Sequence, residues 1–165
     1  KLAFDGKELP RKDLGMMAMA YGYIYVAQIA IGSSDVQVLK AFLEAEAYDG
    51  PSLILAYSPC IAHGFDMANQ HHQQDLAVKS GLWPLYRYNP NRIKERKNPL
   101  QLDSKAPSVP FKDFAYNEVR FNSLLRSDEK RAEKLMKSAQ KSIDERWALY
   151  KQMAEMDYSL EKEEA

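Results

Sequence analysis

The chain has 165 residues, 45% of them hydrophobic and 28% charged, which is ordinary globular composition and excludes disorder along its whole length. Lys+Arg and Asp+Glu stand at 23 each, so the formal net charge is zero and no global attraction to nucleic acid or to an anionic membrane is expected; neither is assigned as a partner. A single cysteine excludes an internal disulfide framework and fits a reducing cytoplasm. Residues 1–7 carry no continuous apolar run of the kind a secretory signal needs.

Residues 13–20 read as a short helix, with Asp13 able to cap its N-terminus and Gly22 standing just beyond it. The stretch 23–31 is rich in β-branched and aromatic residues and too apolar for a half-exposed strand, so a strand covered on both faces is expected. Residues 14–32 together lack any charge and are nominally long enough to span a bilayer. Gly15, Gly22 and Gly32 interrupt them, and Tyr21, Tyr23 and Tyr25 fall near the middle, which favours a buried helix–turn–strand.

Beyond Ser33, residues 35–48 place Val38, Leu39, Phe42, Leu43 and Ala45 at helical spacing, with Ser34 or Asp35 as the cap. Asp49-Gly50-Pro51 stops that helix. Residues 52–57 then form a second apolar strand, expected to be buried. A helix follows over about 69–80, and 82–88 offers one more strand, placed at a sheet edge because of Pro84. Between 89 and 111, Pro90, Pro99, Pro107 and Pro110 mark irregular surface chain, with one short strand over 100–102. From Ser127 to about Tyr158 a long helix is expected, its apolar stripe formed by Ala132, Leu135, Met136, Ala139, Ile143, Trp147, Tyr150 and Ala154. An acidic tail, Glu161–Glu164, is expected to fray. The alternation of helices and strands predicts an α/β fold: a partial, mostly parallel sheet with flanking helices, plus the long C-terminal helix.

Chemistry in such sheets gathers at the carboxyl ends of the strands, which directs attention to the loop holding Cys60. Cys60 is a metal ligand, a nucleophile or a small buried thiol. One cysteine cannot hold an iron–sulfur cluster alone, since such clusters take four thiolates. Cys60 and His63, with His71 and His72 downstream, leave open a zinc site of loose spacing or a thiol enzyme activated by His63. The run Arg87, Arg92, Lys94, Arg96 and Lys97, beside Tyr86 and Tyr88, has the mix of an RNA-binding surface, but with zero net charge it reads as a solvated loop or as a dock for an acidic protein partner. The last helix's stripe leaves open a free-standing α/β interaction module. No G-x-G-x-x-G, Walker or Gly-Asp-Gly pattern is present, and Asp5-Gly6 lacks the preceding Gly and downstream Asn of the thiamine-diphosphate motif.

Five phrases in fixed order go further: RKDLGMMAMAYG at 11–22, LKAFLEAE at 39–46, GPSLILAYSPCIAHG at 50–64, SGLWPLYRYNP at 80–90 and NPLQLDSK at 98–105. Together they resemble the C-terminal region of the pyruvate:ferredoxin (flavodoxin) oxidoreductases. The resemblance runs to about Leu125 and more weakly along the final helix. It implies a large, cytoplasmic, dimeric enzyme that converts pyruvate and coenzyme A into acetyl-coenzyme A and CO₂, using thiamine diphosphate with Mg²⁺. Electrons would pass through [4Fe–4S] clusters to ferredoxin or flavodoxin. It further implies that residues 1–88 are the latter part of a thiamine-diphosphate-binding domain, 89–126 an irregular Pro-rich connection, and 127–165 the long helix and tail. Cys60, in its Pro-Cys-Ile-x-His-Gly setting, would be the fourth ligand of one cluster. The thiamine motif and the other three cysteines would lie in the remainder of the polypeptide. The isolated chain is expected to be inactive, and no role is assigned to His63.

Overall fold

The computed structural model describes Leu9 and residues 11–159. The readings made at residues 1–7 and at the tail Glu161–Glu164 lie outside them. Asp13, in extended conformation, accepts a hydrogen bond from Met16 N at 3.1 Å and starts α1 (Leu14–Met19). The chain turns at Gly22, whose φ of +77° suits a residue without Cβ, and enters β1 (Tyr25–Ile29). Thus the uncharged stretch is a helix, a turn and a strand. Among the described residues no helix is long and apolar enough to cross a membrane.

Helix α2 (Asp35–Ala47) is capped by the Ser34 side chain, which accepts from Gln37 N at 3.2 Å. It leads to β2 (Ser52–Ala56), then through two short 3₁₀ turns to α3 (Gln70–Lys79). The remaining elements are β3 (Tyr86–Tyr88), α4 (Asn91–Lys94), β4 (Leu100–Leu102), α5 (Phe111–Ala115), α6 (Val119–Ser127) and α7 (Glu129–Ala154).

The four strands run in the order β2-β1-β3-β4. The expected parallel crossover is present: β1 and β2 pair in parallel, Tyr25 opposite Ser52 and Ile29 opposite Ala56. The other half of the sheet is antiparallel, β1 with β3 and β3 with β4, so the α/β sheet is mixed. Two placements differ from the sequence reading. β3 is internal rather than at an edge, because Pro84 precedes the first paired residue and its missing N–H falls outside the ladder. β2 is half-exposed rather than buried, because among the described residues it has a strand neighbour on one side only. The stretch 111–127, where no element was expected before the long helix, folds as α5 and α6.

Side-chain alternation along β1 divides the core. Tyr25, Ala27 and Ile29 face Ala41 of α2, while Val26 joins Ala18, Met19, Tyr86, Tyr88, Leu100 and Tyr150 on the other face. Burying each large side chain of this set contributes about 1.5–3 kcal/mol. The stripe on α7 points inward along its length. Ile143, Met136 and Ala139 pack on α3 and α5, and Tyr150 stacks on Tyr86 with ring centroids 4.9 Å apart. Tyr150 also donates to Asp13 Oδ2 at 2.9 Å, so one carboxylate both caps α1 and fastens α7. Gly15 leaves room for this arrangement: a Cβ there would stand 1.7 Å from the Tyr86 oxygen.

Burial pushes the Tyr57 and Tyr86 phenols up to about 12, with the Glu118 carboxylate adding to the effect at Tyr57. An unfolded phenol ionises near about 10, so between about pH 10 and 12 the unfolded chain holds fewer protons than the folded one. Stability is therefore complete below about pH 10 and falls as pH rises towards 12. Tyrosinate absorbance recorded with circular dichroism should show these phenols ionising together with loss of structure; ionisation finished near pH 10 in a still-folded chain would contradict it.

Candidate functional site

Cys60 follows the carboxyl end of β2. Its side chain is exposed, and its backbone is extended at φ −132°, the residue before a 3₁₀ turn, Ile61–His63. The turn closes on itself through His63 N to Cys60 O and Gly64 N to Ile61 O, each 2.9 Å. Gly64 reverses the chain at φ +74°, and a Cβ there would come within 2.6 Å of Val119 Cβ. Only glycine permits that reversal with α6 so close. Val119 N in turn donates to Gly64 O at 2.9 Å.

Beneath the turn lies a carboxylate that no sequence signal singles out. Glu118 is fully buried at the start of α6. Its Oε1 accepts from Gln73 Nε2 of α3 at 3.0 Å. Its Oε2 pairs with Arg120 Nε at 2.6 Å and stands 3.7 Å from His63 Nδ1. Gln73 also donates to Phe114 O at 3.1 Å and accepts from Asn117 Nδ2 at 3.2 Å, tying the group to α5. Burial, then the Arg120 guanidinium, hold the His63 imidazole below its usual range, with Glu118 opposing them.

The other sequence candidates separate. His71 and His72 are exposed on α3, and among the described residues no group of three or more His, Cys, Asp and Glu is placed to hold a metal ion. The basic–aromatic run is divided as well. Tyr86, Arg87 and Tyr88 are buried, and Arg87 pairs with Asp103 and Glu44 inside the fold, leaving Lys94, Arg96 and Lys97 at the surface.

No family model matches the chain. Curated relatives do. The pyruvate-flavodoxin oxidoreductase of Trichormus variabilis is 50% identical over 154 residues, covering 93% of this chain and 13% of that protein. The pyruvate:ferredoxin oxidoreductase of Moorella thermoacetica is 48% identical over 155 residues, covering 94% and 13%. The pyruvate-flavodoxin oxidoreductase of Rhodospirillum rubrum is 47% identical over 154 residues, again 93% and 13%. The chain is homologous to one segment of these oxidoreductases. It spans about 13% of the length of each relative.

As a donor for iron, Cys60 has the right chemistry and the right access. Its sulfur is a soft donor, free and exposed on a loop rather than packed in the core. It is also one donor where a cluster takes four, so it fits a ligand set shared with residues elsewhere in a longer polypeptide.

Proposed function

We propose that this segment serves an enzyme that oxidatively decarboxylates pyruvate to acetyl-coenzyme A and CO₂ and passes the electrons to ferredoxin or flavodoxin. In this reading Cys60 is one of four thiolate ligands of a [4Fe–4S] cluster. Thiamine diphosphate and its Mg²⁺ are held by the remainder of the polypeptide, in a cytoplasmic homodimer. When bound, the cluster supplies single-electron storage; this chain's part is to present one thiolate from the turn after β2. The observation that carries the reading is the identity of about half over nearly the whole chain to the named oxidoreductases.

Two features of the fold support a segment of a larger body. The outer edge of β2 has no strand partner among the described residues. Val36, Leu39 and Leu43 lie at helical spacing on α2 with more than half of each exposed, a face that another part of the polypeptide would cover. The alternatives, a free-standing interaction module and a small zinc or thiol enzyme using Cys60 and His63, have no comparable support. The assay is pyruvate- and coenzyme-A-dependent reduction of ferredoxin or flavodoxin. The longest natural polypeptide containing this segment should turn over, and the 165-residue chain alone should not. Turnover by the chain alone, or none by the longer polypeptide loaded with iron, sulfide and thiamine diphosphate, would overturn the reading.

A further inference from the structure

The turn that carries Cys60 has few attachments to the rest of the fold. Cys60, Ile61 and Ala62 are exposed, and the hydrogen bonds of the turn's own backbone are internal, from His63 N to Cys60 O and from Gly64 N to Ile61 O. Beyond itself the turn is held where it meets the head of α6: Gly64 O accepts from Val119 N, and His63 Nδ1 faces Glu118 Oε2 at 3.7 Å. The bond and the contact belong to adjacent residues, 118 and 119. Glu118 carries a fully buried carboxyl group, an expensive choice for a residue whose task is only to fill space. Its two oxygens join α3, through Gln73, to the head of α6, through Arg120, and His63 of the Cys60 turn lies beside them. At 3.7 Å the His63 contact is longer than a hydrogen bond, and His63 Nδ1 has no other hydrogen-bond partner among the described residues.

We propose that Glu118 is the positioning residue for Cys60: it fixes the head of α6 against α3, and through the bond from Val119 N to Gly64 O and the contact with His63 it holds the thiolate in one direction. This rests on the reading of Cys60 as a cluster ligand. Groups that orient metal ligands act through such contacts, and losing one weakens metal retention by about 10–100-fold. Glu118 is enclosed by α3, the head of α6 and the turn, so its effect is expected in the cluster and not in the chemistry at pyruvate.

The test uses the longest natural polypeptide containing this segment, as wild type and as Glu118→Gln, His63→Gln and Tyr150→Phe. Tyr150→Phe removes the bond to Asp13 far along α7 and controls for loss of stability alone. Two readouts are taken: the low-temperature paramagnetic resonance spectrum of the dithionite-reduced protein, and the rate of iron release to a chelator. In Glu118→Gln one cluster should change its spectrum and release iron about 10–100-fold faster. His63→Gln should shift both readouts in the same direction by less, and it serves alone if Glu118→Gln does not fold. Tyr150→Phe should lower the thermal midpoint and leave both readouts as in wild type. Wild-type spectra and release rates in Glu118→Gln, in His63→Gln if only that variant folds, or equal changes in Tyr150→Phe, would overturn the proposal. Failure of the underlying reading looks different: Cys60→Ala would then keep all its iron.

Discussion

Arg87→Ala should destabilise the fold by about 3–5 kcal/mol, the range found when one partner of a buried ion pair is removed and the other is left in place. Arg87 lies on the internal strand β3, and only 10% of its side chain is exposed. Its Nε and Nη2 donate to Asp103 Oδ2 and Oδ1, each at 2.9 Å, and Nη1 donates to Glu44 of α2. The two carboxylates raise the guanidinium pKa above its usual range, with the Asp103 hydrogen bonds the largest cause. Each carboxylate has a second duty. Asp103 Oδ2 accepts from Gln37 Nε2 at 3.0 Å, and Glu44 Oε2 accepts from the Tyr25 hydroxyl at 3.1 Å. Deleting the arginine would strand two carboxylates and loosen α2 from the sheet. Urea unfolding followed by the fluorescence of Trp83 and Trp147 measures the change. Arg87→Lys should recover only part of it, since an ammonium cannot make the paired bonds to Asp103. A cost below about 1 kcal/mol, the value of an exposed pair, would show that the network is solvated.

Cys60→Ala carries the largest functional expectation. In the polypeptide that contains this segment, reduction of ferredoxin or flavodoxin by pyruvate should fall to background. The substitution should hardly affect folding, because the Cys60 side chain is exposed and is given no packing role in the core. The contrast with Arg87→Ala is diagnostic: one change costs stability and the other costs electron transfer.

Local rules made much of the fold legible. Asp13 and Ser34 cap helices where the sequence places caps, the β1–α2–β2 crossover is parallel, and the 100–102 strand is where Leu100 and Leu102 predicted it. What was not legible depends on partners distant in sequence. Arg87 reads as one of a basic surface run because Glu44 and Asp103 are 43 and 16 residues away and only the antiparallel β1–β3–β4 pairing brings them together. Pro84 signals an edge, yet register places it ahead of the ladder. Glu118 has no sequence signature at all, since an isolated glutamate before Val119-Arg120 looks like surface until α3, α6 and the 3₁₀ turn close around it. Cys60 was conspicuous by its place after β2, but its reading as a cluster ligand came from the resemblance of whole phrases and not from spacing.

The most direct test of the account is the iron and acid-labile sulfide content of the longest natural polypeptide containing this segment, purified without oxygen as wild type and as Cys60→Ala. The variant should lack one cluster's worth, about four irons and four sulfides. Full iron and sulfide in Cys60→Ala would contradict it and return Cys60 to an exposed thiol with no ligand role.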